Sequence, residues 1–303
     1  MTNTRQAHRR QQLRWLCAIT AAAALTLWIG SVNAADADRF KDVKVTSTEV
    51  TPGLHLLTGA GGNIAASIGP DGTLIVDTQY GPLAKRILRA INRIDGDAPK
   101  LIINTHYHGD HTGSNGAFGE AGTIIAHANV HARLSGNSEL KRSAMPTVTF
   151  RDRLRLHFNN DAIDLIHMPA GHTDGDTVVW FRNANVIHMG DHYFRDNFPY
   201  VDIDAGGSVS GVIDNLESIM RMAPADIQVI PGHGPIATLK ELGETLNMLR
   251  QTSAAVRQQL ASGATEAALI EQGLGAQWQR WGNGFINEER WIRTLVKDAG
   301  LPQ

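Results

Sequence analysis

The chain has 303 residues, and its 28 basic and 30 acidic residues give a formal net charge of −2 with histidine neutral. Residues 1–34 contain four arginines and no acid, so residues 35–303 carry −6, which argues against nucleic acid or anionic membrane as a partner because both require a basic surface. The single cysteine, Cys17, lies in the first segment, so residues 35–303 can form no disulfide and offer no thiolate ligand.

The first 34 residues have the pattern of an export signal. Basic residues between positions 5 and 14 precede the apolar run Leu16–Ile29, and Val32-Asn33-Ala34 is typical of a signal-peptidase cleavage site. Arg9-Arg10 is only weakly similar to a twin-arginine signal, so general secretory export is the first expectation and the twin-arginine route stays open. A retained N-terminal anchor is the alternative, because the apolar run is near the length boundary for a membrane span.

We therefore expect residues 1–34 to be a signal peptide and the protein to be periplasmic or secreted, with no stable membrane span after cleavage. Residues 35–303 are enough to bury a large core as one domain. The oligomeric state is left open.

Strands and helices alternate along this expected domain. The predicted strands are Val43–Thr46, Leu54–Thr58, Ile64–Ile68, Thr73–Val76, Leu101–Asn104, Thr123–Ala126, Leu154–Phe158, Ala162–His167, Thr177–Phe181, Val186–His188 and Ile227–Ile230. The predicted helices begin at Pro82, Ala128, Ser208, Thr238, Thr265 and Glu288. Two sheets packed face to face, with helices outside, would bury the apolar faces of these elements.

Four of the predicted strands are followed by side chains that bind metal ions well. Together these are five histidines and two aspartates: His106, His108, Asp110, His111, His172, Asp191 and His233. If the strands end at one edge of the sheets, the seven side chains lie together and can hold two zinc ions. Iron or manganese is not excluded, because sites built only from histidine and aspartate accept each of these metals.

The spacing His-x-His-x-Asp-His, with a later Gly-His-Thr, Gly-Asp and Gly-His-Gly, resembles that of the metallo-β-lactamase-fold hydrolases. The resemblance covers Val43 to the last helix and implies an α+β fold, a four-layer αββα sandwich with the metals at one sheet edge. It implies that the first metal is bound by His106, His108 and His172, and the second by Asp110, His111 and His233. It also implies that Asp191 bridges the two metals and that Asp77 steadies a histidine ligand from behind.

Asp191 separates the branches of this family. A large branch of β-lactamases has cysteine at this position, and another usually lacks the bridging aspartate. The chain is therefore more similar to the bridging-aspartate thioesterases, lactonases and phosphodiesterases, the glyoxalase II/lactonase-like branch.

The resulting hypothesis is an exported, zinc-dependent hydrolase of a small-molecule ester, thioester, lactone or related bond. Two ions about 3.5–4 Å apart would lower the pKa of a bridging water, and the hydroxide would attack the substrate. Asp110 and Asp191 are the candidate catalytic residues, since either carboxylate could orient the proton of the nucleophile. Substrate and metal identity are left open.

Two other functions are compatible with the sequence. Export, together with a possible carboxylate-binding role for Arg195, would suit a β-lactamase, although a solvated Arg195 is the simpler interpretation. A non-catalytic periplasmic zinc-binding or relay protein could keep the same ligands, because a fold does not prove turnover.

The remaining histidines are expected to have structural positions. His127 and His131 are four apart on a predicted helix, but they lack the His-Glu-x-x-His pattern and are expected at the surface. His188 and His192 could line the site or pack beside it. Tyr107 could contact substrate or fill space.

Overall fold

The protein is represented by a computed structural model that describes residues 39–300. Residues from Lys44 onward form one compact unit, and the described residues before Lys44 belong to another. The expected signal peptide, residues 1–34, lies outside the described residues. Among residues 39–300, every helix is too short or too polar to cross a lipid bilayer.

The first sheet contains seven strands that follow one another in chain order. They are β1 (Thr46–Thr51), β2 (Leu54–Thr58), β3 (Ile64–Gly69), β4 (Gly72–Val76), β5 (Leu101–Ile103), β6 (Thr123–His127) and β7 (Val148–Phe150). Strands β1 to β4 pair antiparallel, whereas β4 to β7 run parallel. The carboxyl ends of β4, β5 and β6 therefore share one edge of this sheet.

The second sheet has the order β13-β12-β11-β10-β9-β8. Its strands are β8 (Arg153–Phe158), β9 (Asp161–His167), β10 (Thr177–Phe181), β11 (Val186–His188), β12 (Gln228–Ile230) and β13 (Ala237–Thr238). Both β9 and β11 are antiparallel to β10, and β12 is parallel to β11. The chain therefore leaves β9, β11 and β12 at one common edge.

Eight α-helices complete the described fold. They are α1 (Ala84–Asn92), α2 (Gly109–Thr112), α3 (Asn115–Phe118), α4 (Ala128–Ser135), α5 (Val209–Met222), α6 (Leu239–Ala261), α7 (Glu266–Gln272) and α8 (Glu288–Ala299). The helix predicted to begin at Thr238 is α6, where Thr238 and Glu241 form a capping box by exchanging side-chain and backbone hydrogen bonds.

Apolar residues form two main layers. Between the sheets, alternate residues of the first sheet, such as Leu74 and Val76, pack with residues of the second, such as Leu165 and Val179. The opposite face of the second sheet packs against α5, α6 and α8, where Trp291 is buried. The mixed α+β architecture with two facing sheets and helices is thus confirmed.

The strand predicted at Val43–Thr46 is wrong, because β1 begins at Thr46. The turn at Pro52-Gly53, where Gly53 has φ 77°, fixes the hairpin and pairs Thr46 with Thr58. The side chains of β1 are mostly exposed, so the strand has no alternating apolar signal. Strands β7 and β13 were not predicted, since three and two residues are too few to show a periodicity.

Candidate metal centre

The seven predicted ligands lie on loops that follow β5, β9, β11 and β12. His106 and His108 come directly after β5, and Asp110 and His111 lie in the first turn of α2. His172, Asp191 and His233 follow the three strands of the second sheet that end at the common edge. Because both sheets contribute strand ends to the same region, the fold brings all seven side chains together.

His106, His108 and His172 form the first group of candidate ligands. Their ligand atoms lie within 4.8 Å of one another. His172 Nε2 is 2.8 Å from His108 Nδ1, so these two nitrogens face the same point. The group could hold one metal ion through three imidazole nitrogens.

Asp110, His111 and His233 form the second group. His111 Nε2 is 3.4 Å from His233 Nε2, and Asp110 Oδ2 lies 3.7 Å and 3.5 Å from these two nitrogens. The side chain of Asp110 is 22% exposed, whereas that of His111 is fully buried. This second set could hold another ion at the more open side of the site.

Asp191 lies between the two groups and presents one oxygen to each. Its Oδ1 is 3.1 Å from His111 Nε2 and 3.3 Å from His233 Nε2. Its Oδ2 is 3.8 Å from His106 Nε2 and 3.6 Å from His172 Nε2. This is the geometry that a carboxylate bridging two cations requires.

The donor set fits divalent metal ions. Within residues 39–300, His106 Nε2 and Asp191 Oδ1 are buried without a hydrogen-bond partner, an arrangement that is costly unless a further group occupies the centre. Burial would raise the pKa of the Asp191 carboxyl, but His111 and His233 hold it well below its usual range. An anionic carboxylate surrounded by imidazole nitrogens suits a bound cation.

The pKa values of two histidines in the first group keep their nitrogens available as ligands. Burial and the neighbouring His111 and His172 hold the pKa of His106 well below its ordinary value. Burial lowers the pKa of His172 to about 4. Both imidazoles are therefore neutral near pH 7, the form in which histidine binds a metal.

Asp77 occupies the supporting position that the sequence predicts. It follows β4, is fully buried and accepts a 2.7 Å hydrogen bond from His111 Nδ1. Its carboxylate also accepts hydrogen bonds from the backbone N–H and hydroxyl of Thr105, at 2.8 Å and 2.7 Å. Asp77 has φ 66°, an uncommon conformation that these bonds maintain.

Two further supports for the histidines were missed by sequence reasoning. His172 Nδ1 donates to the backbone carbonyl of Tyr200 at 2.7 Å, and Asp202 Oδ2 lies 3.0 Å from His108 Nε2. Tyr107 also donates to Asp202, at 2.7 Å, so the position of Tyr107 is fixed by a hydrogen bond as well as by packing. No local sequence pattern marks Asp202 as a supporting residue.

Glycines allow the loops to approach the site closely. A Cβ atom built on Gly232 would overlap Asp191 Oδ1, and one built on Gly62 would overlap the His111 ring. Asn63 holds the Gly232 loop, because its side-chain amide donates to the carbonyls of Pro231 and Gly234 at 2.9 Å and 2.8 Å.

Other predicted positions differ from expectation. The surface prediction for His127 is wrong, because its ring is buried and stacked on His167 with centroids 3.7 Å apart, whereas His131 is half-buried. His192 is buried behind the site and accepts from Asn215, and His188 contacts the carbonyl of Asn63, so both pack beside the ligands.

Arg195 is neither solvated nor directed at the ligand cluster. Its guanidinium pairs with Glu241 and donates to the carbonyl of Ile236. Its side chain is 20% exposed. The backbone N–H of Arg195 also donates to the carbonyl of His233 at 3.0 Å, so the residue supports the His233 loop.

Two curated proteins are similar to parts of the chain. The alpha subunit of 2,4-dinitroanisole O-demethylase from Nocardioides sp. (strain JS1661) is 33% identical over 133 residues, which is 42% of this chain and 39% of that protein. An N-acyl homoserine lactonase from Bacillus sp. is 25% identical over 149 residues, 46% of this chain and 59% of that protein. The chain thus spans less than two thirds of the length of either relative.

Comparison with solved structures and with family descriptions agrees with the fold. A metallo-beta-lactamase from Pontibacter korlensis superposes with a TM-score of 0.59 at 18% identity, covering 68% of this chain and 99% of that protein. Residues 59–233, which include all seven candidate ligands, match the description of the metallo-beta-lactamase superfamily. The chain therefore belongs to the metallo-beta-lactamase superfamily.

Proposed function

We propose that this protein is a hydrolase that uses two zinc ions to cleave an ester, thioester, lactone or related bond in a small molecule. The observation that carries the proposal is the position of Asp191, whose two oxygens face two separate groups of histidine and aspartate ligands. A single structural zinc site would be closed by four ligands and would have no use for a second adjoining group.

The chain's own residues have distinct parts in this proposal. His106, His108 and His172 would hold one ion, and Asp110, His111 and His233 the other, with Asp191 between them. Such ions supply Lewis acidity and lower the pKa of a water molecule to about 7 when bound. Asp191 would orient the proton of the attacking group. Asp110, being partly exposed, would accept or hold that proton on the solvent side.

Two observations support an ester, thioester or lactone as the bond that is cleaved. The bridging aspartate is similar to that of the lactonase and thioesterase branch, and one of the relatives is a lactonase. β-Lactam cleavage is the competing reaction, but Arg195, the residue that favoured it, is engaged by Glu241. A chromogenic cephalosporin assay distinguishes the two reactions, and we expect turnover at least about a hundredfold below that of the best carbonyl substrate.

The test of the proposal is metal removal and restoration against a panel of esters, thioesters, lactones, β-lactams and phosphodiesters. We expect chelation to abolish hydrolysis, zinc to restore it, and elemental analysis to find two zinc ions per chain. Asp191→Asn should lower kcat/KM by at least about a hundredfold. Asp226→Asn is the matched control, since Asp226 is exposed and lies before β12, at its opposite end.

Full activity in the metal-free protein would refute the metal requirement. Two bound zinc ions without hydrolysis of any panel member would instead favour a zinc-binding or relay protein. Iron or manganese at the same stoichiometry would correct only the identity of the metal.

We also propose that residues 1–34 are removed on export and that residues 35–303 are the mature, single-domain protein. Mass spectrometry of the protein from the periplasm and the medium should give an N-terminus at Ala35. Intact protein in the cytoplasmic or membrane fraction would contradict this.

A further inference from the structure

Two exposed aromatic side chains contact one another beside the metal centre. Among residues 39–300, the large apolar side chains with high exposure are Val148, Tyr200, Met222 and Phe285. Single exposed residues of this kind are common and need no explanation. Tyr200 and Phe285, however, are 85 positions apart in the chain and meet edge to face, with ring centroids 6.3 Å apart.

Tyr200 connects this pair to the candidate ligands. Its ring centroid lies 5.7 Å from that of His108 and 5.8 Å from that of His172. The backbone carbonyl of Tyr200 accepts the hydrogen bond from His172 Nδ1, so the position of this residue is tied to the ligand itself. Tyr200 is 37% exposed, and the side chain of the adjacent His108 is 18% exposed.

Phe285 is held in place although its side chain is 74% exposed. Arg290 donates to the backbone carbonyl of Phe285 at 3.1 Å, and the guanidinium carbon lies 5.2 Å from the ring centroid. An exposed ring that is fixed from one side offers its free surface to a ligand at little cost in conformational entropy.

The charges around Tyr200 favour an uncharged ligand. The carboxylates of Asp202 and Asp204 lie near the Tyr200 side chain. The same carboxylates would repel an anionic substituent. Asp202 is already engaged by His108 and Tyr107, and Asp204 by Lys297, so a cationic substituent would have no free partner there.

We propose that Tyr200 and Phe285 form a subsite for an uncharged aromatic group of the substrate. The scissile carbonyl would lie at the metal centre, and the aromatic group would extend along the Tyr200 ring towards Phe285. This inference rests on the proposed hydrolase function and adds the class of substrate to it.

The test compares two thioesters that have the same reacting atoms and leaving group, the S-ethyl esters of acetic and 3-phenylpropanoic acid. The zinc-loaded wild-type protein should prefer the phenylpropanoyl ester at least about tenfold in kcat/KM. Phe285→Ala should reduce this preference about three- to tenfold, with less than about twofold change for the acetyl ester, and Tyr200→Ala should reduce the preference by a similar factor. Tyr200→Phe, which keeps the ring, should retain the preference.

Met222→Ala is the matched control, because Met222 is similarly exposed but lies at the end of α5. Equal turnover of the two thioesters by the wild type, or an unchanged preference in both alanine variants, would overturn the subsite while leaving the hydrolase function intact. Failure of both thioesters and of every other member of the substrate panel would overturn the hydrolase function instead.

In that case, binding of an aromatic ligand at the subsite can still be measured without turnover. Zinc-loaded protein is titrated with 3-phenylpropanol, and the ring signals of Tyr200 and Phe285 are followed by NMR. Saturable shifts at both rings, weakened at least about threefold in either alanine variant, would support the subsite. An absence of shifts at these rings would reject it.

Discussion

Three of the five histidines in the candidate metal centre have one ring nitrogen directed inward and the other fixed from behind. Asp77 fixes His111, the Tyr200 carbonyl fixes His172, and Asp202 fixes His108. A hydrogen bond to the far nitrogen sets both the orientation of the ring and the nitrogen that is left for a metal. At the scale of single residues, the site therefore depends on these supports as much as on the ligands.

Asp77→Ala tests this dependence. The substitution leaves the Thr105 N–H, the Thr105 hydroxyl and His111 Nδ1 without their acceptor. We expect zinc affinity to fall by about 10- to 100-fold and the free energy of unfolding of the metal-free protein to fall by about 3 kcal/mol. Competition with a chromophoric chelator and urea denaturation measure the two effects. Asp226→Ala, at an exposed position, should change neither, and unaltered zinc affinity in Asp77→Ala would refute the supporting role.

Gly232→Ala tests how closely the loops approach the site. The added methyl would overlap Asp191 Oδ1, so either the carboxylate or the loop must move. We expect the bound zinc to fall from two ions to one or none, as measured by elemental analysis after dialysis. Gly116→Ala, where the nearest heavy atom would be 3.8 Å away, is the control. Two tightly bound ions in Gly232→Ala would show that Asp191 need not occupy its present position.

His127 gives the metal-free protein a pH-dependent stability. Burial and the stacked His167 lower the pKa of His127 from 6.5 to about 4, so below pH 6.5 the unfolded state binds a proton that the folded state does not. The contribution of His127 to the free energy of unfolding is complete above pH 6.5 and is lost as the pH falls towards 4. His127→Asn retains a capping side chain for α4. As the pH falls from 6.5 to 4, we expect its free energy of unfolding to decrease by about 2–3 kcal/mol less than that of the wild type. Parallel pH profiles of the two proteins in urea denaturation would contradict the lowered pKa.

Sequence reasoning found the residues of the centre that follow predicted strands, and it missed those that come from irregular loops. Asp77 and the seven ligands all lie at or soon after the end of an apolar run. Asp202 is 94 positions from His108, and the Tyr200 contact is made by a backbone carbonyl that any residue type would supply. No side-chain pattern encodes such a contact.

At the scale of elements, most boundaries could be predicted because the strands are short apolar runs separated by turns rich in glycine and proline. β2 and β10 have the predicted bounds, Leu54–Thr58 and Thr177–Phe181. The elements that failed lack this signal: β1 is exposed, and β7 and β13 are very short. The strands that precede the ligands are mostly buried, so their apolar runs were the clearest signal in the sequence.

The helical layer contains one buried charge that joins three helices. Asp298 on α8 accepts from the N–H of Val209, the first residue of α5, at 2.7 Å and pairs with Arg257 of α6 at 2.8 Å. Asp298→Ala should lower the free energy of unfolding by about 3 kcal/mol, because it leaves Arg257 and the first N–H of α5 without their acceptor. Urea denaturation measures the loss.

Asp204→Ala is the control for that substitution. Asp204 also pairs with a residue of α8, Lys297, but its side chain is 85% exposed, so the expected loss is below about 1 kcal/mol. Equal losses of unfolding free energy in the two variants would mean that burial does not strengthen the stabilising contacts of Asp298.

At the scale of the whole molecule, two sheets with their strand ends at common edges explain how residues from position 77 to position 233 reach one site. The family resemblance implied the αββα arrangement, but the sequence did not predict the order of the strands. The parallel pairs β4–β5 and β11–β12 join strands separated by whole helices, and such pairing depends on packing rather than on local propensity. Nor could the sequence place the Tyr200 loop and Phe285 beside the ligands.

Our proposal requires Asp191 to lie between two metal ions held by the six other ligands. Anomalous diffraction from zinc-loaded crystals, measured on both sides of the zinc absorption edge, would locate these ions. We expect two peaks, one at His106, His108 and His172 and the other at Asp110, His111 and His233, with one oxygen of Asp191 facing each. A single peak closed by four protein ligands, or zinc bound away from these side chains, would contradict this arrangement.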